Sequence, residues 1–267
     1  SDAETEATTI FNSERRHRRQ RWQQIAIASA VVLGAAWATG LFDANRLVTG
    51  VPDFFSLIGE MLPPNFSNAG HWARPVLDTL AMSIAGTAVA VLGSIPLGFL
   101  AARNTSPHPA IYQAARVVLN FLRAVPELIM GIIFVAAVGF GALPGVLALG
   151  FHSIGMVGKF FAEAVEHADQ RPVEAARAAG ASQLQAIVHA VLPQVLGQMA
   201  DIAIYRWEYN FRASTILGAV GAGGIGFELI GSLRIMQYAE VSAIILVILV
   251  MVTLVDGFGS WLRNQIK

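Results

Sequence analysis

The sequence predicts an all-α membrane protein with about six transmembrane helices, and three observations point there. Of its 267 residues, 55% are hydrophobic and only 13% are charged. The mean hydropathy of +0.56 is more apolar than a soluble domain can use. The apolar residues also gather into runs near the roughly 20 residues that a helix needs to cross a bilayer. A net charge of zero says little, because in such a chain the distribution of charge matters more than its sum. The absence of cysteine excludes disulfides, metal thiolates and cysteine nucleophiles.

Residues 1–21 form a cytoplasmic tail. Ser1–Asn12 are polar and aperiodic, so disorder is expected there. Arg15, Arg16, Arg18, Arg19 and Arg21 precede the first span, Trp22–Phe42. A signal peptide is the competing reading, with Ala36-Trp37-Ala38 as the cleavage site. The apolar run is long for that, which favours a retained anchor. The outer loop, 43–75, carries Pro52, Pro63 and Pro64. Within it, Val51–Leu62 mixes apolar and acidic residues, compatible with a short helix on the membrane surface or against an external partner.

The core, 76–267, opens with the span Val76–Ala102. Glu127–Phe140 and Pro144–Phe161 follow as a close pair divided by Gly139–Pro144. The first of these is short unless its helix begins around Ala110–Leu122 and breaks at Pro126. Val195–Val220 and Val241–Leu262 complete the set. Positive charge then orients the chain, with both termini cytoplasmic. Arg103, Arg116, Arg123, Lys159, Arg171, Arg177, Arg263 and Lys267 fall inside, while Arg46, Arg74 and Arg234 stay outside.

A polar island, Arg171–Pro193, lies in the cytoplasmic loop 162–194. Pro172 suits the first helical position and Glu174 the first turn. Gly180 sits where a left-handed stop is wanted, followed by Ala181 in a tight turn. Ser182 and Gln185 form a capping box that restarts a helix, and Pro193 limits it. Ala175, Ala176 and Ala179 make a small face that another protein's groove could approach closely. The pattern predicts a docking element of two short helices.

These residues carry a resemblance. Glu174-Ala175-Ala176, Gly180, Leu192 and Pro193 resemble the EAA signature of permease subunits of bacterial ABC importers, the loop that seats on the ATPase. One position departs, since the signature prefers Ile where this chain has Ala190.

In the middle of the fifth span stands Tyr205-Arg206-Trp207-Glu208-Tyr209-Asn210-Phe211-Arg212. At about 1.5 Å per residue, Arg206 and Glu208 fall near the midplane, where a charge must pair or face water. Glu208 and Arg212 are spaced to pair on one helix face, as a structural lock or as a lining for a transport path. Asn210, Ser214 and Thr215 are the other candidates for that path. Gly221, Gly223, Gly224 and Gly226 satisfy G-x-G-x-x-G, but follow an apolar helix instead of a strand. Their meaning is a sharp turn or narrow outer gate. Ala137–Gly141 echoes Ala219–Gly223 weakly. The six histidines are scattered, without the spacing of a metal pair, and no P-loop or nucleophile elbow is present.

Tyr205–Gly226 sharpens the resemblance to permeases for phosphonate and phosphite uptake. The similarity runs over roughly Leu77–Arg263 and includes Leu122–Glu127; methionine-importer permeases share the Leu217–Gly226 pattern but usually have five spans. It implies a type I ABC importer permease fold in the bacterial cytoplasmic (inner) membrane and no bond chemistry in this chain. The implied partners are a second copy of this chain, two ATP-binding ABC subunits, a periplasmic or lipid-anchored substrate-binding protein and membrane lipids, with no nucleic acid. No cofactor is implied here; ATP and Mg belong to the ATPase. The alternatives are a permease for methionine or another small solute, or an ion-coupled secondary transporter using Glu208, Asp201 or Asp256. An intramembrane enzyme is disfavoured, because no nucleophile–base pair or metal set can be assembled.

Overall fold

The computed structural model describes residues 2–266, with side chains from Arg16 onward. The chain divides into two units, one through Gly59 and one from Glu60.

In the first unit, α1 (Asp2–Ala38) runs 37 residues. The expected disorder of Ser1–Asn12 is corrected from Asp2 onward, since helix continues through it. No glycine or proline precedes Gly34, so nothing in the sequence breaks the helix. The apolar residues Ile25, Ile27, Val31 and Val32 are exposed. α2 (Ala44–Met61) passes through Pro52 and includes most of the expected surface helix. Asp43 caps it, accepting from the Arg46 amide at 3.2 Å.

The second unit is built on α3 (Ala69–Leu100) and α6 (Ala142–Glu166). Small residues let their backbones approach, as in membrane helix pairs. A methyl group on Gly86 would lie 2.8 Å from the Leu149 Cβ, and one on Gly98 2.8 Å from the Phe161 Cβ. Gly155 gives the same access to α4 (Pro109–Ala124), because its Cβ would meet the Arg123 amide nitrogen at 2.5 Å. α4 and α5 (Glu127–Val138) meet at 88°. Val125, restricted by the following proline, is extended there, so Pro126 is the break that its position suggests.

Beyond α6 come α7 (Gln170–Ala178), α8 (Gln183–Ala186), a π-helical turn Ile187–Val191, and α9 (Leu192–Leu217). A 3₁₀ turn and a glycine loop lead to α10 (Ile225–Arg234) and α11 (Tyr238–Ile266). α9 packs between α3, α6 and α11.

Among the described residues, four helices are long and apolar enough to cross a membrane: Ala69–Leu100, Ala142–Glu166, Gln183–Val220 and Tyr238–Ile266. Counting the bent α4–α5 pair as one span gives five. The expected first span, Trp22–Phe42, is not among them; its helix stops at Ala38 and Gln23 and Gln24 dilute its start. The second span begins at Ala69 instead of Val76, because Pro75 is accommodated within α3.

Candidate functional site

The α7–α8 hairpin is assembled from local signals. Asp169 caps α7, accepting from the Arg171 amide at 3.0 Å. The Arg171 guanidinium also grips this carboxylate, with Nη2 to Oδ2 at 2.6 Å. These hydrogen bonds hold the Asp169 carboxyl below the usual carboxylate range. The charged cap is therefore intact at neutral pH and lost only as pH falls through that lowered value. This cap starts α7 two residues earlier than Pro172 alone suggests, so Pro172 is at the third position and Glu174 lies beyond the first turn. Gly180 has φ +85°, the left-handed stop. The capping box is complete, with Ser182 N donating to Gln185 Oε1 at 2.8 Å and Gln185 N to Ser182 Oγ at 3.3 Å.

Pro193 does not end the second helix, as its lack of an amide suggested. The π turn shifts the register, with Leu192 N bonding to Ile187 O. Gln194 Nε2 then takes the Ala190 carbonyl at 2.6 Å. The same Gln194 amide donates to Asp169 O at 3.1 Å, and its Oε1 accepts from Asp169 N at 2.9 Å. The base of the hairpin is thus clipped to α9. Gln183 Nε2 ties its other arm to Thr105 O at 2.9 Å, in the loop after α3. Glu166 holds that loop in turn, accepting from Arg103 N at 2.9 Å and pairing with Arg116 at 3.2 Å. Val173 is buried and Ala176 packs on the core, whereas Glu174, Ala175 and Gly180 are exposed. Ala181 and Leu192 are half-buried, and Pro193 is exposed.

At mid-length of α3, α6 and α9 lies a buried polar layer. Arg206 and Glu208 are each 5% exposed, and Asn210 and Ser214 are fully buried. Arg206 Nε donates to Ser153 Oγ at 2.7 Å, and that hydroxyl donates to Asn210 Oδ1 at 2.9 Å. Asn210 Nδ2 donates to Thr87 Oγ1 at 2.9 Å, and Thr87 to Ser83 O at 2.7 Å. Each donor feeds the next acceptor, an order that strengthens the chain cooperatively. Trp207 Nε1 joins it through Ser83 Oγ at 3.1 Å. The hydroxyls of Ser214 and Thr215 instead return to their own helix, on Phe211 O and Arg212 O, both at 2.6 Å.

The expected pairing of Glu208 with Arg212 is corrected. Glu208 Oε2 meets Arg263 Nη1 at 3.0 Å, while Arg212 Nη1 meets both oxygens of Asp256 at 2.9 Å. α11 packs on that face of α9 and supplies a closer partner to each. Its Gly259 makes room, since a Cβ there would collide with Glu208 Oε1. Beside this layer, Glu127 accepts from Tyr209 OH at 2.8 Å and meets His152 Nε2 at 3.1 Å. His152 Nδ1 lies 2.9 Å from Val125 O, at the α4–α5 bend. Ser83, Thr87 and Ser153 were missed in the sequence. Their only signal is small polar residues at the centres of apolar helices.

The glycine turn closes the far end of α9 from the hairpin. Gly221, Gly223 and Gly224 have φ of +96°, +74° and +72°. Gly141 N donates to Gly221 O at 3.1 Å, joining the two echoing glycine segments. Ile225 N donates to Thr79 Oγ1 at 2.8 Å, fixing the turn to α3. At this end Glu60, Asn65, Asn68, Gln237 and Glu240 line an open polar cleft of 530 Å³.

A family model described as binding-protein-dependent transport system inner membrane component matches residues 94–267. The phosphite transport system permease protein PtxC of Stutzerimonas stutzeri is 68% identical over 91% of this chain and 89% of that protein. The phosphate-import permease protein PhnE of Mycolicibacterium smegmatis is 44% identical over 82% of this chain and 41% of that protein. An inward-facing structure of the MetNI methionine ABC transporter superposes with a TM-score of 0.62 at 22% identity. It covers 73% of this chain and 96% of that one, a likeness of fold.

Proposed function

The chain belongs to the binding-protein-dependent transport system inner membrane components, and we propose that it imports phosphite or a closely related phosphorus oxyanion. It is the transmembrane permease subunit of an ABC importer, not an enzyme. The observation that carries the substrate is the near-full-length similarity to a phosphite transport permease. In this reading two copies of the chain form the membrane conduit, with both termini in the bacterial cytoplasm. Two ATPase subunits, holding ATP and Mg, seat on the exposed face around Glu174, Ala175 and Gly180. A substrate-binding protein delivers the anion to the opposite end, near Gly221–Gly226 and the polar cleft.

The coupling route follows from the hydrogen bonds. When the ATPase dimer closes, the hairpin moves, and Gln194 passes that motion to α9 while Gln183 passes it to the loop after α3. Because α9 carries Arg206 and ends in the glycine turn, one rigid helix links the ATPase side to the outer gate. Co-purification with the candidate ATPase and binding protein, followed by phosphite-stimulated ATP hydrolysis, tests the assignment. Hydrolysis indifferent to phosphite, phosphonate and phosphate in an assembled complex rejects it.

A further inference from the structure

Each carboxylate of the buried layer meets a basic nitrogen, whereas one guanidinium meets no carboxylate. Glu208 is answered by Arg263, Asp256 by Arg212 and Glu127 by His152. Arg206 has no carboxylate within 4 Å among the described residues. Its Nε is committed to Ser153, but its Nη2 is buried and makes no hydrogen bond. The Tyr209 ring lies 4.1 Å from its guanidinium carbon and holds the plane in place. Tyr209 cannot turn freely, because its hydroxyl is bound to Glu127. An unpaired guanidinium near the bilayer centre is costly, so its presence there calls for a role.

We infer that Arg206 is the point at which the permease itself selects for a tetrahedral oxyanion during passage. The inference rests on the importer reading and adds that selection by charge is not left to the binding protein alone. The free Nη2 supplies a charge-assisted donor for an anion oxygen, in a low-dielectric layer where a single positive charge is strongly felt. Arg212 is unsuited to this task, since Asp256 already neutralises it. Nη2 is buried in this conformation, so the contact forms only as α9 moves, and it is transient because it ends when the helix returns.

A matched pair of variants isolates charge from shape. Ser153 already touches Arg206, so Ser153→Asp gives the guanidinium a permanent carboxylate, while Ser153→Asn has nearly the same volume and none. In proteoliposomes holding the full complex, phosphite uptake per assembled complex is expected to be about tenfold lower in Ser153→Asp than in Ser153→Asn, equivalent to about 1.4 kcal/mol. Binding-protein-stimulated ATP hydrolysis should continue in both. Arg206→Gln against Arg206→Lys makes the comparison from the other side, with uptake lost in the first and partly kept in the second. Equal uptake within either pair overturns the inference. Failure of the importer reading registers separately, as absence of ATP-dependent phosphite uptake by the wild-type complex.

Discussion

Glu208 on α9 reaches across to Arg263 on α11, at 3.0 Å, instead of to Arg212 one turn along its own helix. The pair stitches the central helix to the last one, and Gly259 is the residue that admits the carboxylate. A buried pair of this kind is costly to break from one side, because the remaining charge has no solvent to fall back on.

Arg263→Met should therefore lower the stability of the purified chain by about 3 kcal/mol, and Glu208→Gln added to it should recover most of that loss. Gly259→Ala should be destabilising as well, since its Cβ would collide with the carboxylate. Thermal unfolding in detergent checks both. An Arg263→Met protein as stable as wild type would show that the pair is not holding the helices together.

At the hairpin, Gly180 has open space where a Cβ would go but a φ of +85°. Substitution there acts through backbone strain and not through a clash. Gly180→Asn should retain ATPase binding far better than Gly180→Val, because asparagine tolerates the left-handed region and a β-branched residue does not. Glu174→Lys should reverse the charge of the exposed face and uncouple uptake from hydrolysis while membrane insertion stays normal. Wild-type transport in Gly180→Val and Glu174→Lys would remove the hairpin from the coupling route.

The glycine turn gives an order of sensitivity. A Cβ on Gly223 meets nothing closer than 3.6 Å, on Gly224 it meets Thr79 Oγ1 at 2.5 Å, and on Gly226 it would overlap the Thr215 carbonyl. Alanine should therefore be best tolerated at 223, worse at 224 and worst at 226. Uptake assays on the three variants read this directly. An inverted order would mean that the turn is held differently in the working transporter.

The hairpin shows how far the sequence could be read. Ser182 and Gln185 are three residues apart, Gly180 acts through its own φ, and Pro126 acts on Val125, so each signal is contained in neighbouring positions. The start of α7 was misplaced because its cap is completed by Arg171 and by Gln194, which lies on another helix. Helix continuing through Pro193 was hidden for a similar reason, since a π turn shifts the register just before it and places Pro193 in the first turn of α9. In the buried layer, Arg206 and Glu208 stood out as charges in an apolar run, but their partners did not. Ser153, Asp256 and Arg263 lie on other helices, and no spacing along α9 reveals them. At α1 the polar residues Arg21, Gln23 and Gln24 and the stop at Ala38 leave a shorter apolar stretch than the run Trp22–Phe42 offered.

In the proposed function this chain conducts a phosphorus oxyanion under the control of a separate ATPase. The most direct measurement is phosphite accumulation in proteoliposomes carrying the chain, its ATPase and its binding protein. Accumulation should require ATP on the hairpin side and the binding protein on the other, and should persist when the proton gradient is collapsed. Uptake that continues without the ATPase and stops when the gradient is lost would contradict the account and assign the buried carboxylates to proton coupling.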